Sequence, residues 1–168
     1  RPKGARKLLQ AGADVSALCD SDRDVTKTAL YLAVEKGNAE LVRLLVDSGA
    51  GVSGTLCRLG RQRQPGGMVV RQSKTALYLA VEKAIEPGNT AGNTAGNTYI
   101  VRVLADAGAD VSTECTLGED VTKTALYLAV EQENVELVRI LVDAGADVST
   151  ECNLGRQSRE GLHLKTAL

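Results

Sequence analysis

Four cysteines, one histidine, a group of arginines and a run of Gly-Asn-Thr triplets are the residues of this chain with the means to do chemistry. His163 is the only histidine, and no serine or cysteine has a base placed to activate it, so nucleophilic catalysis lacks its parts. Glu and Asp recur at fixed places in a repeated pattern, which indicates duplicated surface and not a paired acid–base site. The chain is read as non-catalytic, with no cofactor, no metal and no small-molecule substrate. Cys19, Cys57, Cys115 and Cys152 each follow a Val-Ser by a few residues and so take nearly the same place in successive copies of a repeat. Stacked helical layers lie about 8–10 Å apart, whereas a disulfide needs Cα atoms within roughly 7 Å. The cysteines are therefore expected to be reduced, structural thiols in an intracellular protein, cytoplasmic or nuclear. The Gly-Asn-Thr run between Gly88 and Thr98 lacks the Lys-Ser/Thr that a phosphate loop requires after its last glycine.

The arginines form the sharpest charge signal. Residues 54–73 carry Arg58, Arg61, Arg63 and Arg71 and no acid, a net charge of +4. The corresponding connections at 17–26 and 113–122 are net −2 and −3. Two readings follow. The basic stretch is a site for an acidic partner, a phosphate or a nucleic acid, or it is held by the acidic stretches on either side. The alternation of sign along the chain favours the second, and with a net charge of −1 overall a nucleic-acid partner is not expected. Within the stretch, Gln64-Pro65-Gly66-Gly67 is a tight-turn sequence and Met68-Val69-Val70 a returning strand. No run of about 18 apolar residues occurs, so no membrane partner is expected.

What must position these groups is a repeat. Lys123 to Ser149 is written out again from Lys27 to Ser53, and a third time, interrupted, from Lys74 to Ser112. A period of a few tens of residues marks a stacked array. Within one copy Thr28 is placed as a helix N-cap, and Leu30, Ala33 and Val34 form one apolar face. Gly37 supplies a left-handed residue and Asn38 caps the next helix, whose buried stripe is Leu41, Leu44 and Leu45 with Val42 beside it. Glu40 suits the positive end of that helix. Helices this short, below roughly 12 residues, are marginal alone and need neighbours to cover them. The pattern predicts helices near 28–36 and 38–48, 75–83 and 97–107, and 124–132 and 134–144. Residues 84–95 read as a loop insertion, with Gly96-Asn97 supplying the turn. Residues 1–16 match the second half of a copy and 165–168 begin another, as in a piece of a longer array. Leu8, Leu9, Ala167 and Leu168 would then face the missing neighbours.

The runs Thr-Ala-Leu-Tyr-Leu-Ala, Gly-Asn, Glu-Leu-Val-Arg-Leu-Leu-Val and Gly-Ala-Asp-Val-Ser resemble the ankyrin repeat, whose hallmark is Thr-Pro-Leu-His-x-Ala. The resemblance implies an all-α ankyrin-repeat solenoid of helix–turn–helix units joined by hairpin-like fingers. The array fills residues 1–168, with full repeats at 27–53, 74–112 and 123–149. It also implies a protein-interaction scaffold, whose partner lies against the finger tips and the exposed ends of the first helices. The matching positions are Lys27, Glu35 and Lys36; Lys74, Glu82 and Lys83; and Lys123, Glu131 and Gln132, together with Arg58, Arg61, Arg63 and Arg71 of the basic finger. A structural spacer in a longer protein is the alternative. Three departures stand out. Ala29, Ala76 and Ala125 replace the proline. Tyr31, Tyr78 and Tyr127 replace the histidine, adding apolar bulk while keeping a polar tip. Glu133 stands where the first helix should turn on glycine.

Overall fold

A computed structural model describes residues 14–22, 25–53, 55–63, 69–86, 91–118, 121–152 and 165–166. His163, the turn at 64–68, Leu8, Leu9, Ala167 and Leu168 lie outside the described residues. Three helix pairs form the stack: α1 (Ala29–Glu35) with α2 (Ala39–Asp47), α3 (Ala76–Ile85) with α4 (Ala91–Asp106), and α5 (Ala125–Glu131) with α6 (Val135–Asp143). Each first helix packs on the next first helix and each second helix on the next second helix.

Local chemistry starts these helices where the sequence puts them. The Thr28, Thr75 and Thr124 hydroxyls accept from the N–H groups of Tyr31, Tyr78 and Tyr127, each at 3.1 Å. Asn38 and Asn134 do the same for Leu41 and Leu137. The alanines that replace proline are the first helical residue each time. Leu30, Ala33 and Val34 are buried as the periodicity requires, but in α2 the fully buried pair is Val42 and Leu45. Leu41 packs at the margin of the core and Leu44 is half-buried. The neighbouring helix pair, not the amphipathic pattern, decides which side of that broad stripe goes inside.

The corner between α1 and α2 turns on Gly37 at φ 63°, and between α5 and α6 on Glu133 at φ 54°. The hydrogen bonds around both corners match: Asn38 N–H donates to Ala33 O, and Asn134 N–H to Ala129 O, both at 3.0 Å. Glu133 thus adopts a left-handed backbone that its Cβ disfavours. Glu133→Gly is expected to stabilise the fold by roughly 0.5–1 kcal/mol, read as a higher urea midpoint. An unchanged midpoint would show that the corner carries no strain.

Two expectations are corrected here. Residues 84–95 are not simply a loop. Ala84 and Ile85 form the last turn of α3, with Ala84 buried, and 91–95 open α4. The apolar pattern of α3 continues through those two residues, so the helix runs on. Gly96 lies inside α4 and not at a turn, and Asn97, 4% exposed, uses its side-chain amide to donate to the Lys83 carbonyl at 3.1 Å. That bond satisfies a backbone acceptor of α3 where Asn38 and Asn134 cap a helix in the other copies.

The second correction concerns the fold class, which is not all-α. The fingers are hairpins: β1 (Leu18–Asp22) with β2 (Val25–Thr28), β3 (Cys57–Arg63) with β4 (Val69–Lys74), and β5 (Cys115–Gly118) with β6 (Val121–Lys123). Successive fingers also pair edge to edge, Thr26 with Arg58 and Ser73 with Thr116, giving one six-stranded antiparallel sheet in chain order. A fourth finger pairs β7 (Glu151–Cys152) with β8 (Lys165–Thr166). Every described strand lies in a finger, and β2, β4 and β6 each end at or beside the cap of the helix that follows. Lateral pairing satisfies edge N–H and C=O groups that the helices cannot reach. In β3 a register shift between Arg58 and Arg61 places Gly60 at φ 76°, where an added Cβ would sit 2.9 Å from the Val25 side chain. Glycine is required at that bulge.

Candidate partner interface

The sheet register sorts the finger residues onto two faces. On one, Cys19 opposes Lys27, Cys57 opposes Lys74, Cys115 opposes Lys123 and Cys152 opposes Lys165. Cys57, Cys115 and Cys152 are buried against the repeat before them. Cys115 Sγ accepts from the Thr75 N–H at 3.4 Å, and Cys152 Sγ lies 3.9 Å from the Thr124 hydroxyl. Burial raises the Cys57 and Cys115 thiols above their usual range, with hydrogen bonds from Thr28 and Thr75 opposing it. Such thiols are poor nucleophiles. All four cysteines are free; Cys57, Cys115 and Cys152 serve as small packing residues between repeats, and Cys19 is exposed.

Three lysines of this face, Lys27, Lys74 and Lys123, belong to a recurring three-residue unit. Lys27 meets Glu35 at 2.8 Å, Lys74 meets Glu82 at 2.7 Å and Lys123 meets Glu131 at 2.7 Å. Each ammonium also lies over the intervening tyrosine ring, 5.7 Å from Tyr31, 5.8 Å from Tyr78 and 5.0 Å from Tyr127. The unit ties the last residue or two of a finger to the far end of the first helix. Tyr31 and Tyr78 are buried beneath it, and Tyr127 is half-buried. Burial, ahead of the nearby thiols and carboxylates, raises the phenol pKa of Tyr31 and Tyr78 strongly and that of Tyr127 less.

Six of the nine residues matched to a helix-end partner face are therefore paired with one another. Lys36 and Gln132 are exposed at the C-caps of α1 and α5. Lys83 is half-buried, 3.8 Å from Glu86.

The opposite face of the sheet is different. Across all six strands the register aligns Asp20, Thr26, Arg58, Ser73, Thr116 and Thr122. Arg58 and Arg71 are exposed, and among the described residues neither pairs with a carboxylate. Arg61 stands opposite Arg71, and Arg63 opposite Val69. Between fingers two and three lies a cleft of ≈ 280 Å³ lined by Arg58, Gly60, Arg71, Gln72, Ser73 and Thr116. Gln72 crosses the seam, its side-chain amide donating to Leu117 O at 3.1 Å.

The hydroxyl row was not singled out from sequence, yet a signal exists. Thr26, Ser73 and Thr122 each stand two residues before a helix-capping threonine, while Arg58 and Thr116 each follow a finger cysteine. Equal distances from equivalent residues put them in register once the strands pair.

Among the described residues no three metal-ligating side chains come together, and no helix is long and apolar enough to cross a membrane. Fold and site define a stacked-repeat protein in which short helix pairs carry a lateral sheet of fingers. A family model of three ankyrin repeats matches residues 2–115, and an ankyrin-repeat model matches residues 123–153. The chain belongs to the ankyrin-repeat family, whose members are generally non-enzymatic protein–protein interaction modules. No curated protein matches the chain.

Proposed function

We propose that this chain is a non-catalytic interaction scaffold whose partner is a protein docked on the fingers, chiefly the basic second finger. One observation carries the reading. The Lys–Tyr–Glu units consume the charges at the helix ends within each repeat, whereas Arg58 and Arg71 remain exposed and unpaired with any described carboxylate. An exposed guanidinium is a common interface anchor, while a closed ion pair must be broken before it can bind anything else. The finger tips complete the footprint, and the helix ends at Lys36 and Gln132 lie outside it.

The same self-pairing favours a second reading, a spacer that holds other segments apart, because copies built alike present no differentiated helix-end surface. Nucleic-acid binding is weaker, since no aromatic side chain stands among the cleft residues to stack a base. A photo-crosslinking residue at Leu56, exposed two residues before Arg58, compared with one at Arg139 on α6, separates the first two. Protein adducts at 56 and not at 139 support the scaffold. Adducts at neither position favour the spacer.

A further inference from the structure

We propose that the cleft between the second and third fingers is a phosphate-monoester site, and that its occupant is a phosphorylated serine or threonine of the partner protein. The inference rests on the scaffold reading and specifies its ligand.

The cleft presents two kinds of donor in one small space. Arg58 and Arg71 supply guanidinium N–H groups, and Ser73 and Thr116 supply hydroxyls. Arg58 faces Ser73 across the β3–β4 ladder, and Ser73 faces Thr116 across β4–β5. Side chains directly opposed in an antiparallel sheet stand about 4.5–5.5 Å apart at Cβ. Arg71 precedes Ser73 by two residues on β4 and so shares its face. The four donors therefore converge from three adjacent strands, held by backbone pairing and not by loops.

Their chemistry selects an anion with several oxygens. A carboxylate offers two acceptor atoms in a plane and is satisfied by one guanidinium fork. A phosphate monoester offers three strong acceptors and close to two negative charges at neutral pH, which two guanidinium groups with flanking hydroxyls can match. Free carboxylates would compete for the arginines, but none of the described cleft residues is acidic. At ≈ 280 Å³ the space suits a phosphorylated side chain better than a bulky cofactor. Gly60 keeps one wall low, since its φ of 76° and the nearby Val25 exclude a side chain there. On the side away from the helices β3 and β4 run on past the cleft to Arg63 and Val69.

The test uses the full chain, 15N-labelled, and a pentapeptide of glycine with one central phosphoserine. Saturable amide shifts are expected at residues 58–60, 71–73 and 116, and none with the unphosphorylated peptide. Arg58→Gln with Arg71→Gln should weaken binding at least about tenfold while leaving the melting curve unchanged, because both side chains are exposed. Unchanged affinity in the double variant, or shifts confined to other residues, would overturn the site. Inorganic phosphate binding as tightly as the peptide would replace the peptide with a free anion, and tighter binding of a single-stranded oligonucleotide would replace it with nucleic acid. Crosslinking at position 56 that persists after phosphatase treatment of the partner would leave the scaffold standing and defeat the phosphate.

Discussion

Truncating Leu77 to alanine is expected to cost about 2–5 kcal/mol, the usual penalty for a buried leucine whose cavity cannot fully collapse. Leu77 is fully buried in α3, which packs against its partner α4 and against the first helices of both flanking repeats, α1 and α5. In an array each repeat is stabilised mainly by its neighbours, so a cavity in the central repeat weakens two interfaces together. Val135→Ala, at a residue 69% exposed on α6, should change stability by no more than about 0.5 kcal/mol. Urea unfolding of both variants checks the contrast. Equal small losses would mean that the helices do not stack as described.

Alkaline pH should unfold the protein through its tyrosines. Tyr31 and Tyr78 are 1% and 2% exposed, and burial holds both phenols above their ordinary value near 10. Below about pH 10 folded and unfolded chains both keep these protons, and stability does not depend on them. Above it the unfolded chain loses protons that the folded chain retains, so stability falls as pH rises. Each phenol contributes a slope of about 1.4 kcal/mol per pH unit, and the two together about 2.7. The buried thiols of Cys57 and Cys115, also raised by burial, begin a shallower decline from the ordinary thiol range near 8.5. Tyr31→Phe with Tyr78→Phe should flatten the steep limb and leave the shallow one. A double variant with the parental slope would show that another group drives alkaline unfolding.

The parts of this fold that are legible in the sequence are those set by local chemistry. Thr28, Thr75, Thr124, Asn38 and Asn134 cap helices because a short oxygen side chain beside an apolar run has few better partners than the exposed N–H groups that follow it. The strain at Glu133 is legible for the same reason: a turn that uses glycine in one copy needs the same backbone in another. What depends on long-range register is not legible. The edge-to-edge pairing of Thr26 with Arg58 and Ser73 with Thr116 depends on how far apart the stack sets the fingers, and no local pattern states that spacing. The insertion at 84–95 shows its duplicated Gly-Asn-Thr in sequence, yet the capping power of Asn97 is spent on Lys83 O once two helices lengthen around it.

The candidate site divides the same way. Lys74 and Glu82 are eight residues apart across a strand-to-helix junction, so neither a single helical face nor a single strand alternation relates them. They meet because one sits at the end of a strand and the other near the end of the helix that follows. Read along the chain, these charges look like a docking surface, and in the fold they bind each other. The basic finger reads the other way. Arg58 and Arg71 stand exposed over a row of hydroxyls, while their expected neutralisation by the acidic connections falls on side chains at 20–24, 119 and 120 that lie outside the described ones.

Hydrogen exchange on the chain alone and in complex with the crosslinked partner tests this division most directly. The account predicts new protection in β3, β4 and β5, around Arg58, Arg71 and Thr116, with exchange at 35–36, 82–83 and 131–132 unaltered. Protection at those three helix ends, with β3 and β4 unchanged, would contradict it.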